Sequence, residues 1–145
     1  MRHTIEQKLK LIEGLPVWAA GRAASMLWLQ IGGRHVVPVR NGGCKAVGTF
    51  ALHIDCPWTW TQNGNVVANQ DSDLGQLNEL LETPAVCERI SAHDNGSFEL
   101  TFNNDSKLVV LVEADADPSA DEYWRFFEFT TDTPHFVVGS RGVEA

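Results

Sequence analysis

His53 and Asp55 stand two residues apart in Phe50-Ala51-Leu52-His53-Ile54-Asp55-Cys56, where apolar and polar side chains alternate. Alternation of that period belongs to a strand, whose i and i+2 residues share a face, so an imidazole and a carboxylate project side by side. A sheet presents an oriented base, or two ligands of a metal, in this way. Two groups do not complete a site, and a hydrogen-bonded polar pair on the wetter face of a sheet accounts for the same residues. With Trp58 just beyond Pro57 and with His135, the pair would become a ligand pocket walled by tryptophan.

A second group is acidic. Asp115, Asp117, Asp121 and Glu122 crowd a polar stretch around Pro118. General acid–base work would need one carboxyl taken out of water. Acids this close together in a polar loop stay solvated, so contact with Lys and Arg of a partner is the functional reading. Asp71, Asp73 and Glu82 fall at positions 1, 3 and 12 of a calcium loop, but Gln76 stands where its turn needs glycine, and capping of a helix by Asp73 explains them better.

The thiols offer little. Cys44, Cys56 and Cys87 are far apart, with no C-x-x-C, so reduced cysteines of a cytoplasmic protein are expected, without a metal. No G-x-S-x-G, P-loop, dinucleotide fingerprint or H-E-x-x-H occurs, so no catalytic residue and no cofactor is assigned. Five tryptophans against one tyrosine are mostly core material, although Trp58 and Trp60, sharing a strand face, could anchor a partner.

Composition bounds the rest. The 145 residues are 43% apolar, enough for one domain spanning 1–145 with a core that needs no disulfide. The net charge of −8 argues against nucleic acid and against an anionic membrane surface. It is unevenly spread: residues 1–72 hold seven basic and four acidic side chains, residues 73–145 four basic and fifteen acidic. The apolar run 14–32 is interrupted by Arg22, which a membrane span would tolerate poorly.

The elements that must position these residues follow from period and punctuation. Thr4 and Gln7 form a capping-box pattern that opens a helix over about 4–13, closed by Gly14 and Pro16. A strand-rich body over about 15–140 comes next. Residues 17–30 read as a strand pair or a short helix, and Arg34–Arg40 as a separate strand placed at an edge by Pro38. Asn63-Gly64 signals a hairpin after Trp58 and Trp60. Asp73 caps a second helix carrying Leu74, Leu77, Leu80 and Leu81. A meander over Val86–His93, Phe98–Asn103 and Leu108–Glu113, a last hairpin over Tyr123–Phe129 and His135–Val138, and a short C-terminal tail complete the chain. The expected class is α+β, predominantly antiparallel sheet with two short helices.

Phe50-Ala51-Leu52-His53-Ile54-Asp55-Cys56-Pro57-Trp58, Glu122-Tyr123-Trp124-Arg125-Phe126-Phe127 and Pro134-His135-Phe136-Val137-Val138 resemble blocks shared by a family of small bacterial proteins of unknown function. The likeness runs from about Leu15 to Glu144. In that family a basic residue often follows Cys-Pro-Trp, where this chain has Thr59. The resemblance implies a bacterial source and a small cytoplasmic protein of the immunity or accessory type. Three functions compete. The foremost is a non-catalytic protein-binding module whose acidic half meets a basic partner such as a toxin. The second is a small enzyme or ligand-binding domain using His53, Asp55, Trp58 and His135. The third is a homodimer closed by the apolar first third.

Overall fold

Asn63 and Gly64 both take positive φ, 52° and 81°, the backbone of a two-residue hairpin turn whose twist suits the strands it joins. Hairpins, most of them with longer connections, join neighbouring strands through much of the molecule. In the computed structural model, which describes residues 1–113 and 122–144, the order is α1 (Arg2–Leu9), a tighter helical turn (Lys10–Ile12), β1 (Pro16–Ala23), β2 (Met26–Pro38), β3 (Cys44–Ile54), β4 (Trp58–Gln62) and β5 (Asn65–Asn69). Then come α2 (Gly75–Leu80), β6 (Ala85–Ala92), β7 (Phe98–Phe102), β8 (Ser106–Val110), β9 (Trp124–Glu128), β10 (Phe136–Gly139) and β11 (Gly142–Glu144). Strands make up 53% of the described residues, so the fold is mainly antiparallel sheet with two short helices, and α+β describes it only loosely.

The strands hydrogen-bond in the order β11-β10-β9-β3-β2-β1-β6-β7-β8-β4-β5. Laid flat at about 4.8 Å per strand, β9 and β7 would lie roughly 24 Å apart. Yet the rings of Trp124 on β9 and Phe98 on β7 have centroids 4.6 Å apart, and the Trp124 indole N–H donates to Gly96 O at 2.8 Å. The sheet is therefore folded back on itself. The bend falls at β6, whose Ala85 and Val86 pair with β1 while Cys87–Ala92 pair with β7 across a register shift. One apolar cluster fills the space between the halves, including Leu27, Leu29, Ile31, Leu52, Ile54, Trp58, Trp60, Leu100, Leu108 and Trp124.

Both helices are held by burial rather than by their caps. Ile5, Leu9 and Ile12 are fully buried. The expected Thr4–Gln7 capping box does not form: α1 starts at Arg2, with Met1 in the cap position and no side-chain cap. Thr4 thus lies inside the helix, because apolar burial over Ile5–Ile12 sets its extent. Asp73 does not cap α2 as expected: Leu74 holds the cap position with no side-chain cap. Asp73 Oδ1, one residue earlier, accepts from Gly75 N at 2.9 Å, while Asn78 Oδ1 ties the helix to Ala20 N of β1.

Several boundaries differ from those read in the sequence: β3 begins at Cys44 rather than near Phe50, and β8 runs Ser106–Val110 rather than Leu108–Glu113. Arg34–Pro38 continues β2 instead of forming its own strand. A register shift between Ile31 and Arg34, with Gly32 at φ 89°, carries the chain across the break, and beyond it β2 pairs with β3 alone. The expected tail is instead β11, turned at Gly142 (φ 96°) and paired to β10. Three residues are too few to show a period, so pairing alone reveals that strand.

Leu100 is fully buried between its half-exposed neighbours Glu99 and Thr101. Leu100→Asp buries an unpaired charge and is expected to unfold or aggregate the protein; a soluble variant with wild-type circular dichroism would reverse the assigned faces. A Cβ on Gly48 would sit 2.5 Å from backbone atoms of Ile31. Gly48→Ala should therefore cost about 1–3 kcal/mol in urea unfolding, as overpacking does, and an unchanged midpoint would contradict that close approach.

Candidate functional site

Across the first half of the sheet the register places one residue of each strand in line: Gly21, Trp28, His53 and Arg125. One step along, Ala19, Gln30, Ala51 and Phe127 make a second row on the same face. This face points away from the core, because Leu27, Leu29, Leu52, Ile54 and Trp124 occupy the alternate positions. It is unusually apolar for an outer face, and small side chains give it a trough. A Cβ on Gly21 would lie 1.7 Å from the Trp28 ring, so only glycine lets that indole lie down across β1.

The resulting groove has a volume of about 450 Å³. Trp28, Phe127 and Phe129 supply its aromatic wall, Ala51 and Val47 its floor, and His53, Gln30 and Lys45 its polar groups. Phe127 organises the polar end. His53 meets its ring edge-on, with centroids 5.0 Å apart, and His135 stacks flat on it at 4.0 Å. Arg125 reaches His135 Nδ1 at 2.9 Å. A guanidinium only donates, so Nδ1 accepts and the ring proton sits on Nε2. Arg125 is itself forked onto Glu122, through Nε to Oε2 at 2.8 Å and through Nη2 to Oε1.

These contacts set protonation. Burial, and secondarily the Arg125 charge, holds the His53 imidazole below its ordinary value, so it is neutral in neutral solution. The hydrogen bonds from Arg125 hold the Glu122 carboxyl below the usual carboxylate range, and the same pairing raises Arg125. The cluster is thus one ion pair, a neutral His53 and a His135 ring that can donate only through Nε2. It can hydrogen-bond and stack, and among the described residues no group of three metal-ligating side chains forms.

Of the residues singled out from sequence, His53 and His135 meet through Phe127. Asp55 does not join them: it is exposed and accepts from Ser25 Oγ at 3.1 Å. Trp58 is 1% exposed in the core and cannot line a surface pocket, because it belongs to the inward phase of β4. Trp60 is likewise buried, stacked on Phe102. Asp115, Asp117 and Asp121 lie outside the described residues, and Glu122 is engaged by Arg125. Sequence reasoning missed Trp28, Arg125 and Phe127. The only signal was the similarity block containing Arg125 and Phe127, since cross-strand register cannot be read from one strand.

A second hollow of about 500 Å³ between α2 and the β4–β5 hairpin is lined by Gln62, Gln76, Glu79 and Asn104, and by none of the candidate site residues His53, Asp55, Trp58 and His135. No family model matches this chain, and no solved structure matches it.

Two outcomes follow from this chemistry. A histidine whose folded pKa is depressed contributes stability that is complete above its unfolded value of 6.5 and is lost as pH falls below it. Glu122 adds a second loss as pH falls below 4.5. Thermal midpoints should decline in those two windows, and His53→Gln should abolish the upper one; an unchanged profile in that variant would refute the assignment. The three thiols are unpaired, and Cys44 is exposed. Burial pushes Cys56 to about 12 and Cys87 to about 11. Iodoacetamide on the native protein should label Cys44 first and the other two only after denaturation, read by mass spectrometry.

Proposed function

We propose that this chain is a non-catalytic binding protein that docks a partner protein on the outer face of β2, β3 and β9. One observation carries the reading: an aromatic-walled groove lies on the outer face of the sheet, with Phe129 exposed at its rim. An outer sheet face ordinarily alternates to polar side chains. Here Trp28, Ala51, Phe127 and Phe129 occupy it, with Phe129 37% exposed at the rim. Apolar surface of this kind, rimmed by polar groups, marks contact sites. The similarity blocks, which supply His53, Arg125, Phe127 and His135, support placing the protein among small bacterial cytoplasmic factors of the immunity or accessory type.

The volume also falls within the range of small-molecule pockets, roughly 300–1,000 Å³, and the neutral His53 at its wall favours a ligand-binding reading as second choice. A basic partner for Asp115, Asp117, Asp121 and Glu122 rests on charge alone, and a homodimer through the first third on its apolar composition.

Affinity capture from the source cell, using wild type and a folded Phe129→Asp variant, tests the proposal. The expected partner is lost with the variant, and in hydrogen exchange it protects segments 26–30, 45–53 and 127–129. A partner retained by Phe129→Asp, with protection confined to another face, would overturn it. Its loss on His53→Ala with only a small metabolite bound would move the protein to the second reading.

A further inference from the structure

β9 runs beside β3 from Ile54 back to Phe50, and a last bond joins Phe129 N to Thr49 O at 2.8 Å. There β9 ends. β3 continues for five more residues toward Cys44, paired on its other side to β2 and, among the described residues, to no strand on this one. The far part of β2, Arg34–Pro38, is open on its outer side in the same way, since β1 stops at Ile31. The two form a projecting ribbon whose side chains are mostly exposed, Val36 by 72%. An open strand edge is a template for another strand.

Charge selects what that strand could be. Residues 14–54 carry Arg22, Arg34, Arg40 and Lys45 and no Asp or Glu, in a chain of net charge −8. Two of these cations are occupied. Arg22 donates to the carbonyls of Asn69, Gln70 and Ser72, and the Arg34 guanidinium lies over the Trp18 ring at 4.3 Å. Arg40 and Lys45 remain exposed on the ribbon, and Lys45, Ala46 and Val47 are also part of the groove wall. The open edge and the groove are therefore continuous.

We propose that the uncovered side of Cys44–Val47 receives an extended acidic segment of the partner protein, paired as an added strand in line with β9, with its apolar side chains entering the groove beside Phe129. This rests on the binding function above and names the partner's chemistry. Backbone hydrogen bonds supply affinity in strand addition, and alternate side chains supply specificity. Lys45 and Val47 lie on one face of β3 and both border the groove, so the segment carries its acidic and its apolar residues on the same face, two positions apart. A second copy of the chain is a poorer occupant, since pairing two such edges brings the basic residues of both ribbons together. Nucleic acid is poorer still: two exposed cations release few counterions, and a long polyanion meets the acidic remainder of the protein.

The test uses the full chain, labelled with nitrogen-15, and as probe a short capped peptide with Val and Glu at successive positions of one face and Thr at the positions between. Amide shifts are expected over 44–48 and at Phe129. Binding should weaken about tenfold in Arg40→Glu/Lys45→Glu, which reverses two contacts of modest strength, and vanish for the same peptide N-methylated on alternate residues. Equal binding of the N-methylated peptide would overturn strand pairing. Equal binding of a Val–Lys peptide, or of a DNA duplex at the ribbon, would overturn the acidic-segment assignment. No shift anywhere would overturn the inference as a whole. Shifts confined to Trp28, His53 and Phe129, with none at 44–48, would overturn it while leaving the groove's binding function standing.

Discussion

Burial of Trp124 against Phe98 is the contact on which the outer face depends. It joins strands five places apart in the sheet, so it exists only because the sheet bends at β6. Its indole N–H is satisfied by Gly96 O, which makes the inward orientation specific as well as apolar. Once Trp124 faces in, Arg125 and Phe127 must face out, since a strand alternates with a period of two and a one-residue slip would reverse every side chain. The core thereby sets the phase of the groove. His53 and Trp28 follow through pairing with the same strand and its neighbour.

The groove also depends on what is missing from side chains. Gly21 and Gly48 admit the Trp28 ring and the Ile31 backbone at distances no Cβ allows. One makes room for an aromatic wall, and the other for the irregularity where β2 bends away into the ribbon. Both glycines lie in strands, where the residue is normally a weakness, so a close approach explains each of them. The core tolerates some cost of its own. The indole N–H groups of Trp58 and Trp60 and the Ser106 hydroxyl are buried with no hydrogen-bond partner among the described residues. Each such group costs about 1–3 kcal/mol, set against the large apolar area these rings remove from water.

Electrostatics divides the molecule by region rather than by net charge. The overall −8 conceals a stretch of forty-one residues, 14–54, with four cations and no acid. Pairing has already spent much of the charge elsewhere on the groove's border: Glu122 and Arg125 neutralise one another there. What the face presents is aromatic surface, a neutral imidazole and, at the ribbon, positive charge.

The sequence alone determined the features that rest on local rules. Alternation in Phe98–Phe102 and in Phe50–Ile54, the positive-φ turn at Asn63-Gly64 and the Leu77/Leu81 face of α2 all reflect interactions within a few residues, and each is where its pattern put it. His53 was legible as a candidate for the same reason. The ambiguity of residues 17–30, the extent of α1 and the existence of β11 were settled by distant partners: β6 and β3 for the first, the core for the second, β10 for the third. Only tertiary structure could bring His135 to His53 through Phe127, withdraw Trp58 into the core and set Arg125 between Glu122 and His135. These are consequences of register between strands far apart in the chain, and a single sequence carries no signal for register beyond the phase of each strand.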